Sequence, residues 1–196
     1  MLDIVTSTYG TFPHLVEHDE FVELDMGCGK GGFTIDLAQL YPNRSILGAD
    51  INLARLKKIK NRIEHQYSVD NVRLLRASAT ELIGIQLPRF SIDRMHILCP
   101  DPWPKAKHRH NRLLCSEFFS RLANTIKPGG VLHISTDDKP YLAFILEAID
   151  SCRFFDEDPS GIEDIAHIKT DFERHWETLG KTTTHLSYRR NSTDSK

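Results

Sequence analysis

The sequence predicts an α/β fold: a mostly parallel sheet covered by helices on both faces. Three observations carry this. Short apolar runs alternate with segments whose apolar residues recur at helical spacing. The runs are nearly continuous in apolar residues, as strands buried on both faces must be. Polar groups close several of the runs, at Asp25/Gly27, Asp50, Asp101 and Asp137, where an open α/β sheet binds its ligands.

Taken in order, Phe21 to Met26 reads as a strand that ends in Gly27-Cys28-Gly29-Lys30-Gly31-Gly32. Phe33, Leu37, Leu40 and Tyr41 then follow one helical face until Pro42 stops the helix. Ser45 to Ala49 is a second strand, ending at Asp50. Leu53, Leu56, Ile59, Ile63 and Tyr67 trace a long helix whose other face carries Arg55, Lys57, Lys58, Lys60 and Arg62. Val72 to Leu75 and Ile92 to Leu98 are further strands. Leu114, Phe118, Leu122 and Ile126 predict a helix closed by Lys127-Pro128-Gly129-Gly130, and Val131 to Ser135 the next strand. Leu142, Ile145, Leu146 and Ile149 mark another helix. Phe154-Phe155 and Thr182 to Tyr188 form a closing antiparallel pair, which makes seven strands.

With 196 residues, 40% of them hydrophobic and 27% charged, the chain suits one domain with a real core. Residues 1–196 are expected to form it, with an extension over about 1–20 and a frayed tail over 191–196. That short extension leaves little room for an RNA-binding arm. No run approaches the ~18 apolar residues of a membrane span, and no signal-peptide pattern opens the chain. Cys28, Cys99, Cys115 and Cys152 are widely spaced with no Cys-x-x-Cys pair, which reads as reduced thiols in a cytoplasmic protein. A net charge of −2 argues against blanket coating of nucleic acid but not against a local basic site.

Gly27 and Gly29 suit a turn that brings backbone close to a ligand; the plain alternative is an ordinary strand–helix turn. Asp25, before that turn, would repel a pyrophosphate but can hold an ammonium group. Asp50 can accept both hydrogen bonds from a ribose diol, or can cap a helix, although Asn52 stands ready for that cap. An ammonium at Asp25 and a ribose at Asp50 describe S-adenosylmethionine better than NAD. The basic helix face is either a solvated surface or a nucleic-acid contact.

Pro100-Asp101-Pro102-Trp103-Pro104-Lys105 leads into Lys107, His108, Arg109, His110 and Arg112. Alternating prolines make a stiff segment that joins neither a helix nor a central strand. Such a loop presents an acid, an indole and cations at a strand end. Trp103 either stacks on a base or packs under its own prolines. His108 and His110 match no usual zinc spacing, so no metal is expected.

These residues resemble the bacterial single-subunit tRNA (guanine-N7)-methyltransferase family. The carriers are Leu24-Asp25-Met26-Gly27-Cys28-Gly29-Lys30-Gly31, Gly48-Ala49-Asp50, the Pro100–Lys105 loop with its basic tail, Ser135-Thr136-Asp137, and Thr170-Asp171-Phe172-Glu173 followed by Gly180. The glycine motif is common to many methyltransferases; the proline loop is far more specific. Order and spacing agree over about residues 20 to 190. The resemblance implies a Rossmann-like class I S-adenosylmethionine-dependent methyltransferase fold, that donor, and a variable-loop guanine of tRNA as acceptor.

Carried over, Asp25, Gly27, Gly29, Asp50, Ser78 and Asp101 would meet the donor, and Asp101 would also be the key active-site acid. Lys105, Asp137, Thr170, Asp171, Phe172 and Glu173 would meet the guanine and its surroundings. The family usually has Glu where this chain has Asp25 and Asp50, and Asp or Asn where it has Ser78. Ala106 and Asn111 dilute a basic tail that is usually denser. The resemblance implies tRNA as partner, no membrane and no obligate protein partner, in a monomer or homodimer. Rival readings are a methyltransferase of small molecules or proteins, a dinucleotide-dependent reductase, and a silent RNA-binding subunit. Salt dependence, donor binding and detectable turnover, in that order, separate them.

Overall fold

The computed structural model describes residues 4–6 and 21–192. The elements run β1 (Ile4–Thr6), β2 (Val22–Met26), α1 (Gly32–Leu40), β3 (Ser45–Asp50), α2 (Leu53–Gln66), β4 (Val72–Arg76), α3 (Ala79–Glu81), β5 (Ile92–Leu98), α4 (Ser116–Thr125), β6 (Ile126–Thr136), α5 (Lys139–Asp150), β7 (Phe155–Glu157), α6 (Asp171–Thr178) and β8 (Thr184–Arg190). A π-helical turn covers Leu82–Gln86, and 3-10 turns cover Ala106–Asn111 and Pro159–Ile165.

The strands form one sheet in the order β1-β4-β3-β2-β5-β6-β8-β7. Every pairing from β1 through β6 is parallel, and β8 joins β6 and β7 antiparallel. The expected closing pair is therefore present. Eight strands are described where the sequence predicts seven, because Ile4–Thr6 pairs with Leu74–Arg76. Three residues are too few to show a period, and only the register with β4 makes them a strand. The rest of the expected N-terminal extension, and the tail from 193, lie outside the described residues. Asn191 is anchored by its amide to the Phe154 carbonyl at 3.0 Å.

Alternation along the central strands sorts the core into two layers. Leu24, Met26, Leu47 and Ala49 pack beneath α4 and α5. Ile46 and Leu74 pack with Phe33, Leu37, Leu56 and Ile59 on the α1–α2 side. Capping fixes the helix starts. The Asn52 side chain accepts from the Ala54 and Arg55 amides (3.0 and 3.3 Å), so Asn52 caps α2. Asp138 accepts from Tyr141 N at 2.7 Å at the start of α5. One boundary departs from expectation. Lys127-Pro128-Gly129-Gly130 does not merely close a helix but lies within β6, which begins at Ile126 opposite Ile92. The register slips between Ile92 and Arg94, and that irregularity admits a proline into an inner strand.

Glu23 has no solvent exposure. Its Oε2 accepts from Arg94 Nε at 2.9 Å and His96 Nε2 at 3.0 Å, and its Oε1 from Arg94 Nη2 at 3.1 Å and from Arg44. Arg94 also reaches Asp164 at 2.7 Å, tying the 3-10 turn at Pro159–Ile165 to the sheet. Burial alone would raise the Glu23 pKa, but His96 and Arg94 outweigh it and lower it to about 2. Because this folded value lies below the ordinary 4.5, the charged form stabilises the fold above that pH. The contribution is lost as pH falls toward 2. Glu23→Gln should cost about 3–5 kcal/mol at pH 7, by leaving the arginines short of charge. Urea unfolding should show that gap narrowing as pH falls below about 4.

Candidate active site

Strand order reverses beside β2: β3 and β4 lie on one side, and the chain then crosses back to β5 on the other. Ligands of such sheets bind at the carboxyl ends of these strands. Two cavities open there, of about 410 and 310 Å³, within the range of small-ligand sites. Gly27, Arg55, Leu98, Cys99 and Asp101 line both, so the two form one cleft.

The glycine loop shapes its floor. Gly27 has φ +82°, and a side chain there would meet nothing within 4 Å. Its backbone conformation, not crowding, requires glycine, and its open side faces the cavities. Asp25 is nearly fully buried and lines the larger cavity, where Thr34 Oγ1 donates to its Oδ2 at 2.6 Å. Burial raises its pKa to about 6 against the pull of that hydrogen bond, and Asp50 and Asp171 add to the rise. Asp50 lines the smaller cavity. Its Oδ1 accepts from Asn52 N at 2.7 Å and its Oδ2 from Gly29 N at 3.2 Å, with Arg55 at 3.5 Å. Cys28 is buried, and burial pushes its thiol well up, away from reactivity.

The proline loop turns on two strained residues. Cys99 and Trp103 take φ +49° and +44°, a left-handed conformation that costs other residues about 1–3 kcal/mol. Burial also raises the Cys99 thiol, to about 11. Asp101 is exposed to both cavities, and its carboxylate has no hydrogen-bond or ion-pair partner among the described residues. The basic tail divides. Lys105, Lys107 and Arg109 are exposed and pair with no acid among the described residues. Arg112, which the sequence groups with the loop's cations, is instead 7% exposed. It donates to the Pro102 carbonyl at 2.9 Å and lies about 5 Å from the Tyr141 and Phe144 rings. It braces the loop. Trp103 is 37% exposed, its ring 5.9 Å from that of His108.

Opposite, α6 brings Thr170, Asp171, Phe172 and His175 to the larger cavity. Asp171 Oδ2 accepts from Gly32 N at 2.9 Å, and a Cβ at Gly32 would strike that carboxylate at 2.6 Å. Arg174 pairs with Asp36 of α1. Glu173 does not face the cavity. Its Oε2 accepts from Thr170 N at 2.7 Å in a capping box, and its Oε1 pairs with His185 at 2.7 Å. Burial would raise its pKa, but these bonds lower it. Asp137 is half-buried in the turn after β6 and acts on Cys99, as Glu173 does. Ser78 caps α3 in a second capping box with Glu81. Ala77 and Ala79 on either side of it line the smaller cavity; its hydroxyl goes to Glu81 at 2.8 Å.

Arg55 and His175 enter the cleft without having been singled out for it. Arg55 sits in the first turn after Asp50, a position legible from the Asn52 cap. His175 follows Asp171 by one helical turn, and Thr170-x-x-Glu173 is itself a helix-start signal. On α2, Lys58, Asn61, Arg62 and His65 border an open groove away from the cleft. Among the described residues no cluster of His, Cys, Asp and Glu is placed to hold a metal. No helix there is long and apolar enough to cross a membrane.

Residues 19–186 match a family model described as “Putative methyltransferase”. The tRNA (guanine-N(7)-)-methyltransferase of Polaromonas sp. is 38% identical over 126 residues, covering 64% of this chain and 51% of that protein. The one from Marinobacter nauticus is 30% identical over 166 residues, covering 83% of this chain and 69% of that protein. The chain spans about half the length of the first curated relatives it matches. Among solved structures, the 16S rRNA methyltransferase KamB superposes with a TM-score of 0.66 at 16% identity, covering 91% of each chain. The precorrin-6y C5,15-methyltransferase of Geobacter metallireducens gives 0.56 at 17% identity, covering 91% of this chain and 84% of that one. At those identities the likeness is one of fold, the Rossmann-like class I S-adenosylmethionine-dependent methyltransferase fold. The family model spans most of the chain, and the chain belongs to the tRNA (guanine-N(7)-)-methyltransferase family.

Proposed function

We propose that this chain transfers a methyl group from S-adenosylmethionine to N7 of a variable-loop guanine in tRNA, forming N7-methylguanosine in the cytoplasm. One observation carries the reading. Among the described residues the Asp101 carboxylate has no partner where the two cavities meet, and Lys105, Lys107 and Arg109 of the same loop are exposed and pair with no acid.

The cleft fits the donor. A buried acid, Asp25, suits an ammonium; Asp50 suits a ribose diol; Ile51, Ala77, Ala79 and Leu113 offer an apolar wall for a purine. Gly27 and Gly29 let backbone approach between them. The Ser78 hydroxyl would reach an adenine edge only by leaving its cap. When bound, the donor supplies an electrophilic methyl carried on a sulfonium.

Guanine N7 has an in-plane lone pair and no proton, so no residue need act as a base. The work of the chain is alignment, which is worth roughly 7–11 kcal/mol in well-oriented reactions. Positive charge appears on the purine as the methyl arrives, and a fixed carboxylate facing it favours the transition state. Asp101, with Asp137, is assigned to the guanine N1–H and N2 amino edge. Both oxygens of Glu173 are engaged, by Thr170 N and His185, and its part is to hold Thr170 to Phe172 in place. Lys105, Lys107 and Arg109 are assigned to phosphates. Trp103 is free to stack on a base.

Asp101→Asn should lower turnover about 100-fold, in line with losing one positioned charge. Donor affinity by calorimetry should change less than about threefold, because neither Asp25 nor Asp50 is touched. Activity should fall steeply with salt, and removing one of the exposed cations should reduce the salt slope by about one.

Asp25 yields a separate test. Its folded pKa of about 6 exceeds the ordinary 3.8, so in the free protein the charged form costs stability above pH 6 and nothing below about 4. Asp25→Asn should therefore stabilise the free protein at pH 7, by about 1–3 kcal/mol, and leave it unchanged near pH 4. The same substitution should weaken donor binding. Wild-type donor affinity should fall as pH drops through 6. Urea unfolding at the two pH values, with donor titrations beside it, checks both.

A further inference from the structure

Three imidazoles from three strands lie in line beneath the cleft. His96 Nε2 bonds Glu23 at 3.0 Å, and His96 Nδ1 meets His133 Nδ1 at 3.0 Å. His133 Nε2 meets His185 Nδ1 at 2.9 Å, and His185 Nε2 meets Glu173 Oε1 at 2.7 Å. His96 and His133 are buried; the His185 side chain is about a third exposed. The register of β5 with β6 pairs His96 with His133, and that of β6 with β8 sets His185 two residues along.

Proton counting constrains this chain. Ionised Glu23 and Glu173 only accept, so both end rings must donate outward. Each of the two ring–ring links needs one hydrogen as well. The four links therefore need four ring hydrogens, while three neutral imidazoles carry three.

We propose that the His96–His133–His185 chain holds one excess proton, and that His185 uses it as a positioning residue to clamp Glu173 and with it the first turn of α6 at the cleft. The consequence for turnover rests on the methyl-transfer reading; the proton count does not. Burial and its imidazole neighbours hold the His133 pKa well below its ordinary range, so the middle ring is not where the charge rests. At the inner end, Glu23 and Asp25 of β2 face His96, with Arg94 of β5 and Arg44 sharing Glu23. Helix α1 places the Phe33 ring 4.9 Å from that of His96. At the outer end Glu173 of α6 faces His185, and Asp137 lies close enough to act on the same Cys99 as Glu173. His185 is the point of exchange with water. When the excess proton leaves to solvent at high pH, only three links can be filled. The exposed one, His185 to Glu173, is then the one lost, and Glu173 keeps Thr170 alone.

Two measurements on the full chain test this. Nitrogen-15 ring spectra should show one doubly protonated imidazole equivalent shared by the three at neutral pH; three neutral rings would overturn the proposal. Methyl transfer to tRNA should fall on the alkaline side in the wild type. His185→Ala should be about tenfold slower throughout, the scale of a modest misplacement. His185→Gln should restore most activity and abolish the alkaline fall, because its amide can donate to both Glu173 and His133 without any excess proton. An unchanged alkaline fall in His185→Gln would contradict the clamp. If the wild type transfers no methyl to tRNA, the functional reading fails, while the ring spectra still decide the proton count.

Discussion

A carboxylate with no access to water lies at the amino end of β2, and much of the molecule is arranged to keep it charged. Glu23 draws Arg94, Arg44 and His96 to itself. Arg94 passes the charge on to Asp164 and so seats the 3-10 turn. His96 leads through two more rings to Glu173. Removing one partner of a buried ionic network leaves the others desolvated without compensation. The network therefore acts as a unit, and it ends at the helix that faces the cleft.

Within the cleft, charges are divided by depth. Acids line the interior: Asp25 is buried, Asp50 is tethered by backbone amides, and Asp101 lies at the junction without a partner among the described residues. Arg55 enters beside Asp50, and the loop cations Lys105, Lys107 and Arg109 stand exposed outside. This order suits a reaction in which a cationic donor enters, positive charge moves onto a base, and a polyanion must be held without being drawn in. Arg112 shows how the loop itself is kept in place: one guanidinium is given up to a carbonyl and two rings so that the exposed cations have a rigid base.

Much of this was legible in the chain. Glycine punctuation, the Asn52 cap and the apolar runs set β2, α1, β3 and α2, because each rests on local chemistry. The proline loop announced a stiff, exposed acid for the same reason. What escaped depends on pairing at a distance. Ile4–Thr6 is a strand only beside β4. Helix α6 is eight residues long and is held by Asp171, Glu173 and Arg174 more than by propensity. His96, His133 and His185 meet only through strand register. Arg112 looked like its cationic neighbours, and only burial separates it from them. Lys127 to Gly130 looked like a helix stop, but a slip against β5 takes it into the sheet.

The central claim is the identity of the reaction, and the nucleoside product tests it most directly. Labelled S-adenosylmethionine, unmodified tRNA and this chain should yield N7-methylguanosine, and the yield should vanish when the variable-loop guanine is replaced. Donor binding with no labelled tRNA, or label on a nucleoside other than N7-methylguanosine, would contradict the account while leaving the fold intact.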